Sequence, residues 1–249
     1  MNNDGSAMPQ MRSATKRGTG REMAYQVLRG RILDLTLEPG APLDEAPLVR
    51  SLRLSRTPLR EALVRLASEK LVDLLPNRGA RVADISAGKL AEYFEALGLA
   101  QRATHRWAAL RRSTADLAAI RARMAAFAQA ARQDPVLTPA YNRAFHSAIA
   151  AASGNAHLVQ LYEALLDQGL RLARLTVIHV APQGITPEMH IEALIRDHAD
   201  IHAAIESRDA DAADRLAGVH NALFRRRVFD FFVNRNATPA DQVSLAADA

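Results

Sequence analysis

The sequence predicts a mostly α-helical chain in two parts, an N-terminal winged helix-turn-helix and a C-terminal antiparallel all-helical bundle. Three observations predict it. Hydrophobic residues make up 49% of the 249 positions while aromatics make up only 5%, a composition of Ala/Leu-rich helices rather than sheets. The stretch 43–84 holds two short helical patterns joined by a tight turn, followed by two short apolar runs around Pro76-Asn77-Arg78-Gly79. Beyond residue 86, one long helical pattern follows another, separated by clear breakers.

The first element is a helix over Arg21–Leu35, with Met23, Val27, Leu28, Ile32 and Leu35 near helical spacing and Glu38-Pro39-Gly40 ending it. Residues 1–20 are polar, basic and without periodicity, and are expected to form a disordered tail. A helix from Asp44 to Leu52 has Asp44 as N-cap and Leu48 facing inward. Arg53, Leu54 and Ser55 make the turn. Ser55 or Thr57 can cap the next helix, and Pro58 suits its first turn, where an N–H has no partner to lose. There Leu59, Leu63 and Leu66 recur at i, i+4 and i+7 and form one apolar face, leaving Arg56, Arg60 and Arg65 to face solvent or a polyanion. Residues 71–75 and 81–83 read as the strands of a basic-tipped hairpin, with Arg78 and Gly79 at its tip. A helix of this size fits the DNA major groove.

The bundle is expected to contain six helices, over 87–112, 114–132, 139–153, 156–180, 187–206 and 211–234. The resulting division is a tail at 1–20, a DNA-binding unit at 21–84, a helical effector-binding and dimerisation unit at 85–235, and a flexible tail at 236–249. Net charge is +5, unevenly shared: residues 1–84 carry 14 Lys and Arg against 10 Asp and Glu. The basic excess therefore sits where phosphate contacts would need it. With no cysteine there is neither a disulfide framework nor a thiolate metal site. No apolar run approaches the roughly 20 residues that span a bilayer, and the N-terminus lacks the apolar segment of a secretory signal, so a cytoplasmic protein is expected.

In the bundle, Asn142 and His146 stand at i, i+4 on one helix and so share a face. His198 lies midway along a later helix and His220 on the last one. Three imidazoles and an amide oxygen converging in a core would suit a borderline divalent ion, Zn²⁺ or Ni²⁺ first, with positions left open for water or a ligand. His202 and Asp197 are candidates to orient such ligands or to touch an effector. His105, His157, His179 and His190 read as surface or packing residues.

The string SRTPLREALVRLASEKLV, followed by PNRGARV, resembles the DNA-binding domain of the GntR family of bacterial transcription regulators. The likeness covers roughly residues 21–84. It implies that Arg56 and Arg60 read base edges or adjacent phosphates, that Thr57 contacts the backbone, that Gly79 lets the wing approach the minor groove, and that Arg50 and Arg53 touch phosphates. Ala46 stands where related chains often carry an arginine, which removes one base-reading contact. The remainder resembles the metal-binding, FCD form of the all-helical effector domain of the FadR branch. The resemblance rests on Asn142-Arg143-Ala144-Phe145-His146 with Ser153-Gly154-Asn155, on Asp197-His198 with Ala204-Ile205, and on Asp209-Ala210-Asp211 with His220. It selects Asn142, His146, His198 and His220 as metal ligands. Asn142 replaces the usual aspartate and makes the site less anionic. Leu97 stands near where an effector-pairing arginine is often found, so Arg171 and Arg174 are the candidates to supply that charge. The implied function is a ligand-responsive repressor that binds a near-palindromic operator in duplex DNA as a homodimer, with a carboxylic acid as one effector class. A metal-dependent enzyme carrying a DNA-binding appendage is the alternative, and a protein-interaction winged helix a third reading. The absence of an HExxH signature and of an evident general base weighs against the enzyme, and the arginine-rich helix against the interaction module.

Overall fold

The computed structural model describes residues 10–76, 79–85, 87–179 and 186–236. The chain divides into two compact units, one ending at Ile85 and the other beginning at Ser86.

The first unit contains α1 (Gln10–Leu33), β1 (Pro42–Leu43), α2 (Glu45–Leu52), α3 (Arg56–Ser68), β2 (Val72–Leu75) and β3 (Gly79–Val82). The apolar stripe of α3 does what its spacing requires: Leu59, Ala62, Leu63 and Leu66 are buried, and Leu28 and Ile32 of α1 are buried with them. Burying each such side chain stabilises the fold by roughly 1.5–3 kcal/mol. Leu48 is the buried residue of α2. That helix ends on Arg53, whose φ of 53° puts it in the left-handed region and lets its N–H reach back to Arg50 and Val49. Beyond α3 the chain forms an antiparallel sheet of order β1-β3-β2, with Val72 opposite Val82 and Leu75 opposite Gly79. Gly79 has a φ of 80°, a value glycine adopts without steric cost where the hairpin reverses.

Two differences from the sequence reading are visible here. Helix α1 begins at Gln10, so the second half of the segment expected to be a tail is helical. Residues 1–9, like 237–249, lie outside the described residues. Strand β1 is also new: two residues before α2 pair with the wing strand, Pro42 opposite Arg81 and Leu43 opposite Ala80.

The second unit comprises α4 (Ala87–Arg111), α5 (Thr114–Gln133), a 3-10 turn at Pro135–Leu137, α6 (Thr138–Ala152), α7 (Ala156–His179), α8 (Pro187–Glu206) and α9 (Ala210–Asn236). Helix α4 packs along α9 and also meets α6, α7 and α8, while α5 lies against α6 and α8. Helix α5 starts with a capping box: Ser113 accepts from the Asp116 N–H and Asp116 accepts from the Ser113 N–H. The core joins Ala108 and Ala109 of α4, Ile120 of α5, Phe145 and Ile149 of α6, Ile201 and Ile205 of α8 and Ala213 of α9. Small residues set the close approaches. At Gly169 of α7 a Cβ would lie 2.6 Å from the Tyr93 hydroxyl, so only glycine admits this contact.

Candidate DNA-reading face and buried histidine centre

In the winged unit, Arg50, Arg53, Arg56, Thr57, Arg60 and Gly79 are all exposed, while Arg78 lies outside the described residues. Arg56 and Thr57 occupy the first turn of α3, whose N-cap is Ser55. Arg60 is held from behind: its Nε donates to Glu45 of α2 at 2.7 Å. That bond keeps the Glu45 carboxyl below its usual range and raises the Arg60 guanidinium. Arg65, expected among the outward cations, instead lies 3.5 Å over the Tyr25 ring and pairs with Glu22 at 2.9 Å and Glu69 at 3.5 Å. It ties α3 to α1, which takes it out of the group free to meet a polyanion.

In the helical unit, His146 of α6, His198 of α8 and His220 of α9 are 2%, 0% and 7% exposed. One ring nitrogen from each lies within 4.8 Å of the others. The Nε2 atoms of His146 and His220 are 3.2 Å apart. His220 Nδ1 faces Asp197 Oδ2 at 3.4 Å. Donation of that Nδ1–H to the carboxylate leaves the Nε2 lone pair of His220 directed at His146. His198 is positioned by aromatic rings instead: Phe145 stacks on it with centroids 4.2 Å apart, and Phe127 lies 4.3 Å away on a tilt. Neither nitrogen of His198, nor Nδ1 of His146, has a hydrogen-bond partner. Burial first, then the neighbouring imidazoles, push the pKa values of His146 and His198 well below the ordinary histidine range, so both rings are neutral with lone pairs available. Buried imidazole nitrogens without partners are costly in a metal-free core and are the donor set of a borderline divalent cation. The residues present fit such an ion.

A cavity of about 90 Å³ adjoins this cluster. Asn142, His146 and His220 line it, with Leu97, Gln101 and Tyr162. Arg171, Arg174 and His202 are not among its lining residues. Arg171 is buried in α7, and His202 is buried with its Nδ1 3.9 Å from Glu206. The guanidinium groups in the cavity wall belong to Arg143 and Arg227. Arg143 is already paired, with Glu163 at 2.5 Å and Asp167 at 2.7 Å.

Two histidines read as surface or packing residues hold other places. His105 is fully buried on α4, its ring 5.4 Å from that of His146, with Nε2 unpartnered. His190 lines the cavity beside Arg227. His157 is exposed, and the side chain of His179 lies outside the described residues. A signal for His105 was present: it falls four residues after Gln101 and eight after Leu97, on the helix face that meets the cavity.

Comparison with known proteins gives these two units a common frame. Residues 21–82 match the bacterial regulatory proteins of the gntR family, and residues 92–223, more than half of the chain, match the FCD domain. The chain belongs to the GntR family, in its FCD-bearing form. It is a DNA-binding transcriptional regulator, and the matched families and relatives are regulators rather than enzymes. This GntR regulator is 29% identical over 202 residues to the HTH-type transcriptional repressor GlaR of Escherichia coli K12, covering 79% of this chain and 90% of that one. With an HTH-type regulator of Streptomyces ambofaciens the identity is 42% over 74 residues, but the match spans only 31% of that relative's length and 30% of this chain. Among solved structures, Escherichia coli McbR/YncC superposes with a TM-score of 0.70 at 20% identity, over 87% of this chain and 99% of that one, a likeness of fold. Among the described residues, no helix is long and apolar enough to cross a membrane.

Proposed function

We propose that this GntR regulator is a cytoplasmic repressor that binds a near-palindromic operator as a homodimer and is controlled by a small molecule bound next to a divalent metal. The observation that carries the metal-dependent part is the convergence of three buried imidazoles with unpartnered nitrogens beside a cavity. His146, His198 and His220 would hold the ion, Zn²⁺ or Ni²⁺, with the Asn142 amide oxygen as the fourth donor. When bound, the ion supplies a Lewis-acidic point for an anionic effector. The protein's residues do the rest: Phe127 and Phe145 fix the His198 ring, Asp197 sets the His220 tautomer, and the cavity walls exclude water. Repression is supported by the repressor name of the GlaR relative. Dimerisation follows from the small number of base pairs a single recognition helix can read. An effector acts only insofar as it binds the two states of the helical unit with different affinity.

Elemental mass spectrometry of the purified protein tests the metal reading. About one metal per chain is expected, falling to near zero in His198→Ala. Full occupancy in that variant would remove His198 from the site. On the DNA side, Arg56 and Arg60 would read base edges or adjacent phosphates, Thr57, Arg50 and Arg53 would contact the backbone, and Arg78 and Gly79 would carry the wing. Arg60→Ala is expected to weaken operator binding by about 1–3 kcal/mol, as measured by fluorescence anisotropy at fixed salt. An unchanged affinity would contradict the assignment of α3 as the reading helix.

A further inference from the structure

Arg227 lies in the wall of the cavity, two helical turns beyond His220 on α9. Among the described residues no carboxylate lies within 4.0 Å of its guanidinium, and its polar neighbour is His190, whose Nε2 faces Arg227 Nη1. Its Nε is sealed from solvent and has no hydrogen-bond partner. Burial lowers the Arg227 pKa to about 10, which leaves it cationic at neutral pH. Burial and then the Arg227 charge hold His190 down at about 4, so His190 is neutral and offers no counter-charge. Arg143, the other guanidinium of the cavity, already has two carboxylates. Arg227 has none, and a cation left uncompensated among apolar walls is costly.

We infer that Arg227 anchors an anion subsite of this cavity, and that its occupant is a small aliphatic carboxylate meeting the Nε edge of the guanidinium. The inference rests on reading the cavity as the effector site, and it names the ligand class. A planar guanidinium edge matches the two oxygens of a carboxylate. The neighbouring walls, Leu194, Leu223 and Phe224 among them, suit a hydrocarbon chain rather than a polyanion. The volume of about 90 Å³ is below the roughly 150 Å³ of a cavity that admits benzene, which limits the occupant to a few heavy atoms. Phosphate needs more donors than one unpaired arginine provides.

The test uses the full chain and calorimetric titration with acetate, propionate and butyrate at constant ionic strength, with butyramide as the neutral isostere of butyrate and inorganic phosphate as the competing anion. The wild type is expected to bind at least one of the carboxylates and neither butyramide nor phosphate. Arg227→Met is expected to weaken that binding about ten- to a hundred-fold. The ligand-free variant should melt no lower than the ligand-free wild type, because the substitution removes an unpaired buried charge. Arg227→Lys, which keeps the charge and loses the fork, should retain the fold and bind with intermediate affinity. Failure of the wild type to bind any of the three carboxylates would overturn the inference. So would equal binding of butyramide, preferential binding of phosphate, or undiminished binding in both variants. Operator anisotropy separates this outcome from the broader reading. Carboxylate bound through Arg227 without operator release would overturn the effector reading and leave the subsite standing. Release that persists in Arg227→Met would do the reverse.

Discussion

Lowering the pH from 6.5 to 5 is expected to destabilise the metal-free helical unit by several kcal/mol. His105 is fully buried, and burial holds its pKa at about 3 against 6.5 for a free imidazole. Between those values the unfolded chain binds a proton that the folded one refuses, so stability rises with pH across the window. The contribution is complete above about pH 6.5 and declines as the pH falls toward 3. At pH 5 the deficit from His105 alone is about 2 kcal/mol. His146 and His198 are displaced in the same direction and add to it. The paired carboxylates, Asp214 and Glu192 among them, lose their contribution at lower pH, because their ordinary values are already near 4. Urea denaturation in the presence of a chelator at pH 6.5, 6 and 5 measures the effect. His105→Gln should remove about 1.4 kcal/mol per pH unit from the slope. A midpoint that stays flat from pH 6.5 to 5 would mean that the imidazoles are not held neutral.

Phe145→Ala should cost about 3–5 kcal/mol in the same unfolding assay. Phe145 is completely buried in the core with Ile149 and Ile205, so truncation leaves a cavity that the surrounding helices fill only in part. The ring also stacks on His198, and losing it frees an imidazole that no hydrogen bond restrains. Metal affinity should therefore fall along with stability. Phe145→Leu keeps most of the volume and should cost far less, about 1 kcal/mol. A loss below about 1 kcal/mol for the alanine variant would mean that the site collapses freely around the missing ring.

What the sequence made legible follows from where the information lies. The i, i+4, i+7 spacing of Leu59, Leu63 and Leu66 is local, and all three are buried. Asn142 and His146 share a helix face by the same local rule, and both border the cavity. Arg65 is different: its partner Glu22 lies 43 residues away, and no spacing along α3 separates it from Arg56 or Arg60. Strand β1 is too short to carry a period, and helix α1 extends into polar residues that lack an apolar stripe. The wall of α7 could have been read more closely. Leu166, Gly169, Leu170 and Ala173 line the cavity at helical spacing, which puts Arg171 and Arg174 off that row. Arg227 and His105 become visible only once α4 and α9 are packed together, because their surroundings are built by other helices.

Strand β1 has a mechanical consequence. The Gly40 N–H donates to the Val82 carbonyl, the Val82 N–H to Ala41, and the Ala83 N–H to Leu71. The stem of the wing is thereby stitched on one side to the entrance of α2 and on the other to the exit of α3. Amide protons along this seam should exchange with solvent on the schedule of the buried leucines, not on that of a surface hairpin. A wing fastened in this way cannot flap while the reading helix stays still. Any signal that reaches this unit must turn the hairpin and helix together, as one piece.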